Sequence, residues 1–289
     1  MRTPLSGLGT KGWTMTHLDS AASAPLLQIR KATVVRTGHR VLEGLSLSVE
    51  NGQHSAILGP NGAGKSSLIR LIAHLDYPLD EGRGEPPVSI MGEELWNVFE
   101  LRSRLGIVSG ELENEILDGT LNRRTRGIDA VISGFFASFG IFRHHEITPG
   151  MRERARRSLE RLEAGHLAER FIETMSLGEL RRVMIARALV PDPPALLLDE
   201  PTTGLDLAAR HRFLDTLRAL ARDGKTIILV THHIEEIFPE IERVVLLSRG
   251  RIAFDGDKRE ALSPGRLSAL YELPVTVQEQ KGYYRAAID

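Results

Sequence analysis

The chain has 289 residues, enough for one large domain or two lobes sharing an interface. Its 37 Lys and Arg against 38 Asp and Glu leave a net charge of −1, which argues against a chain-wide nucleic-acid footprint. With no cysteine, disulfides, thiolate metal sites and Cys nucleophiles are excluded, which suits a reducing cytoplasm.

Residues 1–25 are rich in Gly, Ser, Thr and Ala and lack a charged segment joined to a long apolar one, so they are expected to form a flexible extension and not a secretory signal. Residues 26–35 and Val41 to Val49 read as strands, the second alternating at Leu45, Leu47 and Val49. After the Asn51-Gly52 turn, Ser55-Ala56-Ile57-Leu58 is a short buried strand. It leads into Gly59-Pro60-Asn61-Gly62-Ala63-Gly64-Lys65-Ser66-Ser67, which fits G-x-x-x-x-G-K-[ST]. Leu68, Ile69, Leu71, Ile72 and Leu75 follow at helical spacing, so the loop joins a strand to a helix N-terminus. Glycines there let backbone N–H groups surround phosphate oxygens, and the helix terminus adds partial positive charge. Lys65 is expected to reach the β- and γ-phosphates, and the Ser66 hydroxyl to ligate Mg²⁺.

Val88 to Met91 and Leu105 to Val108 are further short strands. Residues 110–178 then carry helical periodicity with many Arg, Glu and Leu, as in Met151 to Ala164, and are expected to form a helical insertion. Ala130 to Phe142 is the longest uncharged apolar stretch, but its 13 residues fall short of the about 20 a membrane helix needs. Glu179 to Val190 is helical, and Pro191, Pro193 and Pro194 stop it. Ala195 to Asp199 is a buried strand, Leu207 to Arg222 a helix, Lys225 to Thr231 and Arg243 to Ser248 strands, and Arg251 to Asp255 a hairpin partner. Alternating strands and helices imply a mostly parallel sheet with crossover helices. The strand ending in Asp199 and Glu200 supplies acids at its tip. Asp199 is expected to hold Mg²⁺, directly or through water, and Glu200 to act as general base on the attacking water.

With Met175-Ser176-Leu177-Gly178-Glu179 before Leu180 to Leu189, Asp199-Glu200-Pro201-Thr202-Thr203-Gly204-Leu205-Asp206, and Thr231-His232 at a strand end, the chain resembles the ATP-binding cassette (ABC) ATPases over residues 26 to about 262. The resemblance implies an α/β P-loop NTPase fold: a RecA-like core, an antiparallel β subdomain and an α-helical subdomain at about 110–178, followed by a C-terminal tail, 263–289. It implies an ATP hydrolase using ATP and Mg²⁺. The signature residues Ser176, Leu177, Gly178 and Glu179 would bind ATP held by a second copy, Asp206 would form the D-loop, and His232 would be the switch histidine. The partners implied are a head-to-tail homodimer on ATP, a separate transmembrane permease and a solute-binding protein, with the chain cytoplasmic on the inner face of the cell membrane. Import is expected, because Val131 to Phe142 is similar to a segment of metal-chelate and molybdate-type importer ATPases. The alternative is a soluble ABC ATPase acting on DNA, ribosomes or cofactor assembly.

Four departures from the family stand out. Leu177 replaces a glycine and Glu179 a glutamine, and Glu179 is expected to place negative charge near polyphosphate. Gly110 takes the place of the Q-loop glutamine, with Glu111 beside it. The adenine-stacking aromatic is replaced by Val35 or Arg36, whose guanidinium can stack on a base or remain solvated. The Phe-rich segment has two readings, a permease docking surface or packing inside the helical subdomain. The clusters at Arg123 to Arg126 and Arg152 to Arg157 are read as solvated faces, not nucleic-acid contacts.

Overall fold

The computed structural model describes residues 24–79, 87–94, 97–110, 125–138, 141–142 and 145–288. Apolar runs with little alternation become strands buried on both faces, the signature of a parallel sheet covered by two layers. These are β3 (Ser55–Leu58), β5 (Leu105–Val108), β6 (Ala195–Asp199), β7 (Thr226–Thr231) and β8 (Arg243–Ser248). With β9 (Arg251–Asp257) they form a six-stranded sheet in the order β5-β6-β7-β3-β8-β9, parallel except for β9. The β8–β9 turn is Arg249-Gly250, both at positive φ (48° and 75°), the backbone that matches strand twist in a tight hairpin.

The two faces of this sheet divide the core. Ile57, Leu197, Ile228, Val230, Val245 and Leu247 pack toward helix α1 (Lys65–Ile72) and an antiparallel sheet. That sheet runs β2-β1-β4, from β1 (Leu27–Arg36), β2 (His39–Val49) and β4 (Val88–Ile90). On the opposite face Leu58, Leu196, Leu198, Leu229 and Leu246 join a cluster with the remaining long helices. Helix α2 (Val98–Arg104) leads into β5. Helices α3 (Gly127–Ile132) and α4 (Pro149–Arg161) belong to the helical layer, whose described residues hold no strand beyond one isolated bridge, Arg126–Phe171.

The helical layer docks on α5 (Leu177–Leu189). Helix α4 buries Ala155 and Leu159, while Arg154 Nη2 and Ser158 Oγ donate to the carbonyls of Val190 and Ala186, each at 2.9 Å. Helix α6 (Leu207–Arg222) crosses between β6 and β7. Beyond β9, α7 (Lys258–Ala261), α8 (Pro264–Tyr271) and a hairpin of β10 (Val275–Gln280) and β11 (Tyr283–Ile288) occupy the stretch that the sequence leaves as a tail.

Candidate functional site

Three neighbouring strands end side by side. Leu58 is in register with Thr231, and Asp199 with Val230, so the loops after β3, β7 and β6 open on one edge of the sheet. In a parallel sheet that carboxyl edge is where ligands collect. The P-loop, Asp199-Glu200 and His232 are therefore adjacent, although 141 and 173 positions separate Gly59 from Glu200 and His232.

The P-loop is built on glycines, two of them pressed against neighbouring backbone. A Cβ at Gly59 would lie 2.4 Å from the Leu247 carbonyl oxygen. One at Gly64 (φ 106°) would lie 2.9 Å from the Val41 carbonyl oxygen. Gly62 also sits at positive φ, 80°. Gly64 caps α1 with no side-chain hydrogen bond, and the first turn holds no acid. The first amides of α1 are thus left to an anion, as a phosphate cradle requires. Lys65 is buried, and its Nζ donates to the carbonyls of Gly59 (2.9 Å) and Pro60 (3.2 Å). Asn61, Gly62 and Ser66 are exposed, Pro60 and Gly64 half-buried, and Ala63 and Ser67 buried.

Glu200 is where the three loops meet. Its Oε1 lies 2.8 Å from His232 Nδ1 and 3.6 Å from Lys65 Nζ. Its backbone is left-handed, φ 44°, an unusual conformation for a side-chain-bearing residue and one that clusters at functional sites. The conformation is pinned from both ends: the Glu200 amide donates to Val230 O (2.8 Å), and Arg181 Nη1 on α5 donates to Glu200 O (2.7 Å). On the His232 side, the carbonyl accepts from Tyr271 Oη on α8 at 3.3 Å, and the ring lies against His233, centroids 3.9 Å apart. Asp199, half-buried at the tip of β6, completes the acid pair.

The signature lies apart from this cluster. Ser176 is the N-cap of α5: its Oγ accepts from the Glu179 amide (3.3 Å) while Glu179 Oε2 accepts from the Ser176 amide (2.8 Å). Such a capping box satisfies two helix-start donors at once. Glu179 Oε1 also accepts from Arg170 Nη1 at 2.7 Å. The Ser176 amide, then the Ser176 side chain and Arg170, hold its carboxyl below the usual carboxylate range against the opposing effect of burial. The charge expected to repel polyphosphate is folded back and matched by a guanidinium. Leu177 takes ordinary helical angles, and its Cδ2 would be 2.5 Å from a Cβ on Gly204 (φ 78°), so its side chain rests on the start of the D-loop. Asp206 caps α6, its Oδ1 accepting from the Ala209 amide at 2.7 Å. Ser176 to Glu179, Gly204 to Asp206, Arg182 and Arg212 line a cleft of about 240 Å³ whose described lining includes no P-loop residue.

Other expectations fare differently. Arg36 lies 3.7 Å from the Asp76 carboxylate, which draws it into an ion pair. Gly110 is described, whereas Glu111, Arg123, Arg124, Phe139 and Gly140 lie outside the described residues. In the Phe-rich segment, Val131 to Gly134 are buried, Phe135 lies under the Arg154 guanidinium (5.2 Å), and Phe136 stacks on His145 (4.0 Å, 9°). Packing accounts for those residues, while Phe142 is exposed. Among the basic residues, Arg126 pairs with Glu169 (2.6 Å) and Arg157 with Glu153 (3.2 Å). Arg181 and Tyr271, which hold the backbones of Glu200 and His232, carry no sequence signal for those contacts.

A phosphate-cradling loop, a paired acid and a histidine on adjacent strand ends of a RecA-like core define a P-loop ATPase of the cassette class, with antiparallel β and α-helical parts built onto it. A model of the ABC transporter family matches residues 42–203. YlmA, an uncharacterized ABC transporter ATP-binding protein of Bacillus subtilis (strain 168), is 34% identical over 259 residues, covering 87% of this chain and 93% of that one. The Nod factor export ATP-binding protein I of Ralstonia nicotianae is 33% identical over 242 residues, 83% of this chain and 70% of that one. A dimeric bacterial ABC transporter cassette superposes with a TM-score of 0.65 at 27% identity, covering 80% of this chain and 98% of that one. A chain from a proposed metal-chelate type ABC transporter has a similar fold (TM-score 0.71, 23% identity, 92% and 97% covered). This chain belongs to the ABC transporter family as an ATP-binding subunit that binds and hydrolyses ATP.

Proposed function

We propose that two copies of this chain close head to tail on two ATP molecules, and that the cycle of closing and hydrolysis drives a separate membrane permease. The observation that carries this reading is the division of the site. The cradle, Lys65, Glu200 and His232 form one cluster, while the exposed Ser176 helix start opens into a cleft without P-loop residues. Each half lacks what the other has, and a dimeric cassette with related sequence supports their meeting across two chains.

In this reading the P-loop amides, Gly59 to Ser67, cradle the triphosphate and Lys65 turns from the loop carbonyls to its β- and γ-oxygens. Glu200 takes the proton of the attacking water, and His232 holds Glu200 and the γ-phosphate in line. The residues fit Mg²⁺: an exposed Ser66 hydroxyl and the Asp199 carboxylate at the strand tip would hold it beside phosphate oxygens. When bound, the ion neutralises charge on the β- and γ-phosphates. Ser176 Oγ and the amides starting α5 bind the partner copy's γ-phosphate.

In this reading the chain works in the cytoplasm against the inner face of the membrane; none of its described helices is long and apolar enough to cross one. Import follows from the likeness of the Phe-rich segment to importer ATPases, with exposed Phe142 in the docking face and a solute-binding protein outside. Export is the second reading, favoured by the Nod factor export relatives. Co-purification of the membrane subunit, with or without a binding protein, separates the two. Light scattering tests the dimer itself: Glu200→Gln with Mg-ATP is expected to run at twice the monomer mass and turn over about 10²- to 10⁴-fold slower. A monomer, or wild-type turnover, overturns the reading.

A further inference from the structure

Behind the reacting pair lies a second, buried pair. Thr202 stands two residues after Glu200, and Glu236 four residues after His232 in a short 3₁₀ turn, Ile234–Glu236. Both side chains are fully buried, at 0% exposure. Thr202 Oγ1 donates to Glu236 Oε1, while Glu236 Oε2 has no hydrogen-bond partner among the described residues. Burying a carboxyl with one oxygen unmatched costs stability. An apolar side chain would fill the same place in a core of Ile234, Ile237 and Phe238 without that cost. Stability therefore does not account for a carboxyl here.

Its position does. We propose that the Thr202–Glu236 bond is a tie that fixes the loop after Glu200 to the loop after His232, making both positioning residues for hydrolysis. On the Glu200 side, the Thr203 amide bonds Glu200 O at 3.1 Å and the Leu205 amide bonds Thr202 O at 3.1 Å, so Thr202 is part of the turn that holds Glu200 left-handed. On the other side, the Glu236 amide bonds His233 O at 3.3 Å, so a shift of Glu236 passes directly to the residue next to His232. The tie joins these two turns beneath a 2.8 Å contact between Glu200 Oε1 and His232 Nδ1. Without it, the strand ends stay in register but the turns above them move independently. Misplacement of about 1 Å at reacting groups costs about 100-fold in rate.

The inference rests on the reading of Glu200 and His232 as the hydrolytic pair, so Glu200→Gln runs beside the test variants in the full-length chain. Thr202→Val removes the donor at nearly constant volume. Its kcat for ATP is expected to fall about 10- to 100-fold with KM nearly unchanged, and its melting temperature to fall too, because both oxygens of the buried Glu236 are then unmatched; in Thr202→Val/Glu236→Leu, where no buried carboxyl remains, the melting temperature recovers while kcat stays low. Thr202→Ser, which keeps the hydroxyl, recovers most of the rate. In Thr202→Val/Glu236→Leu the two losses do not multiply, since one bond accounts for both. Glu236→Leu alone reads the same tie should Thr202→Val fail to accumulate. Unchanged kcat in Thr202→Val, losses that multiply, a fall in kcat matched by raised KM, or a kcat that recovers with the melting temperature in the double variant each overturn the tie. If Glu200→Gln hydrolyses ATP at the wild-type rate, the hydrolytic pair itself is misassigned; if that variant is inactive and Thr202→Val is normal, only the tie fails.

Discussion

Gly250 allows the P-loop to be disturbed from outside, through a residue far from the phosphate-binding sequence. It is the second residue of the β8–β9 turn, at φ 75°. Its amide donates to Ala63 O in the P-loop at 2.9 Å, and its carbonyl accepts from the Glu43 amide at 3.0 Å. A Cβ there would lie 2.6 Å from the Val41 carbonyl oxygen, the same atom against which Gly64 is pressed. Ordinary contact begins at 3.4 Å, so Gly250→Ala demands a shift of about 0.8 Å from backbone on both sides. The left-handed angle costs a side-chain-bearing residue about 1–2 kcal/mol. Overlap with packed backbone adds about 1–3 kcal/mol. Together these come to about 2–5 kcal/mol, and for a chain of this size each kcal/mol is worth about 2–4 °C, so a drop in melting temperature of roughly 4–20 °C is expected. Because the turn bonds Ala63, ATP affinity should fall as well, by about 10-fold or more for a cradle displaced by nearly 1 Å. Gly224→Ala is the matched control: its φ is 88°, but a Cβ there meets nothing within 4 Å, so it carries backbone strain alone. Differential scanning fluorimetry and titration with a fluorescent ATP analogue read both quantities. If Gly250→Ala melts like Gly224→Ala and binds ATP with wild-type affinity, the wedging of P-loop, β2 and turn described here is wrong.

Two further outcomes test the signature. Glu179→Ala removes the returning half of the capping box, worth about 1 kcal/mol, and adds a few tenths for the half-exposed Arg170 pair. The Glu179 carboxyl is held below its ordinary value in the folded chain, chiefly by the Ser176 amide, so its contribution is present above the unfolded value and lost as pH falls through the folded one. The melting-temperature gap between wild type and Glu179→Ala should therefore stay level from pH 8 to pH 6 and close below about pH 4.5, followed by circular dichroism. Ser176→Arg should bind ATP as a monomer yet give no dimer in size-exclusion runs with Mg-ATP, and a dimer peak would remove the signature from the interface.

The parts of the molecule that could be read from the residues are those whose chemistry is local. The strand before Gly59, the helix after it, and the acids ending β6 declare themselves by runs of neighbouring residues, and the sheet order brings them together without further information. Glu179 shows where such reading stops. As a bare charge it predicts repulsion; as the third residue of a helix capped by Ser176 it has an inward bond to make, and Arg170, nine positions earlier, matches it. The S-x-x-E spacing that marks a capping box was present in the sequence, overshadowed by the family pattern. The Thr202–Glu236 bond had no such mark, because nothing in a sequence shows which turn a buried acid will face. The C-terminal hairpin was legible in part: Val275 and Val277 alternate and Lys281-Gly282, both at positive φ, make its turn, but six mostly exposed residues per strand leave a weak apolar pattern.

The leucine at position 177 has one more consequence. Resting on Gly204, it packs the serine-led helix start against the stretch that carries Asp206. In the head-to-tail pair proposed above, those are the two strips of surface that face the other copy. A shift of either strip as a protomer grips its neighbour's triphosphate would then press on the other through this contact, so the two are neighbours in packing as well as in the interface.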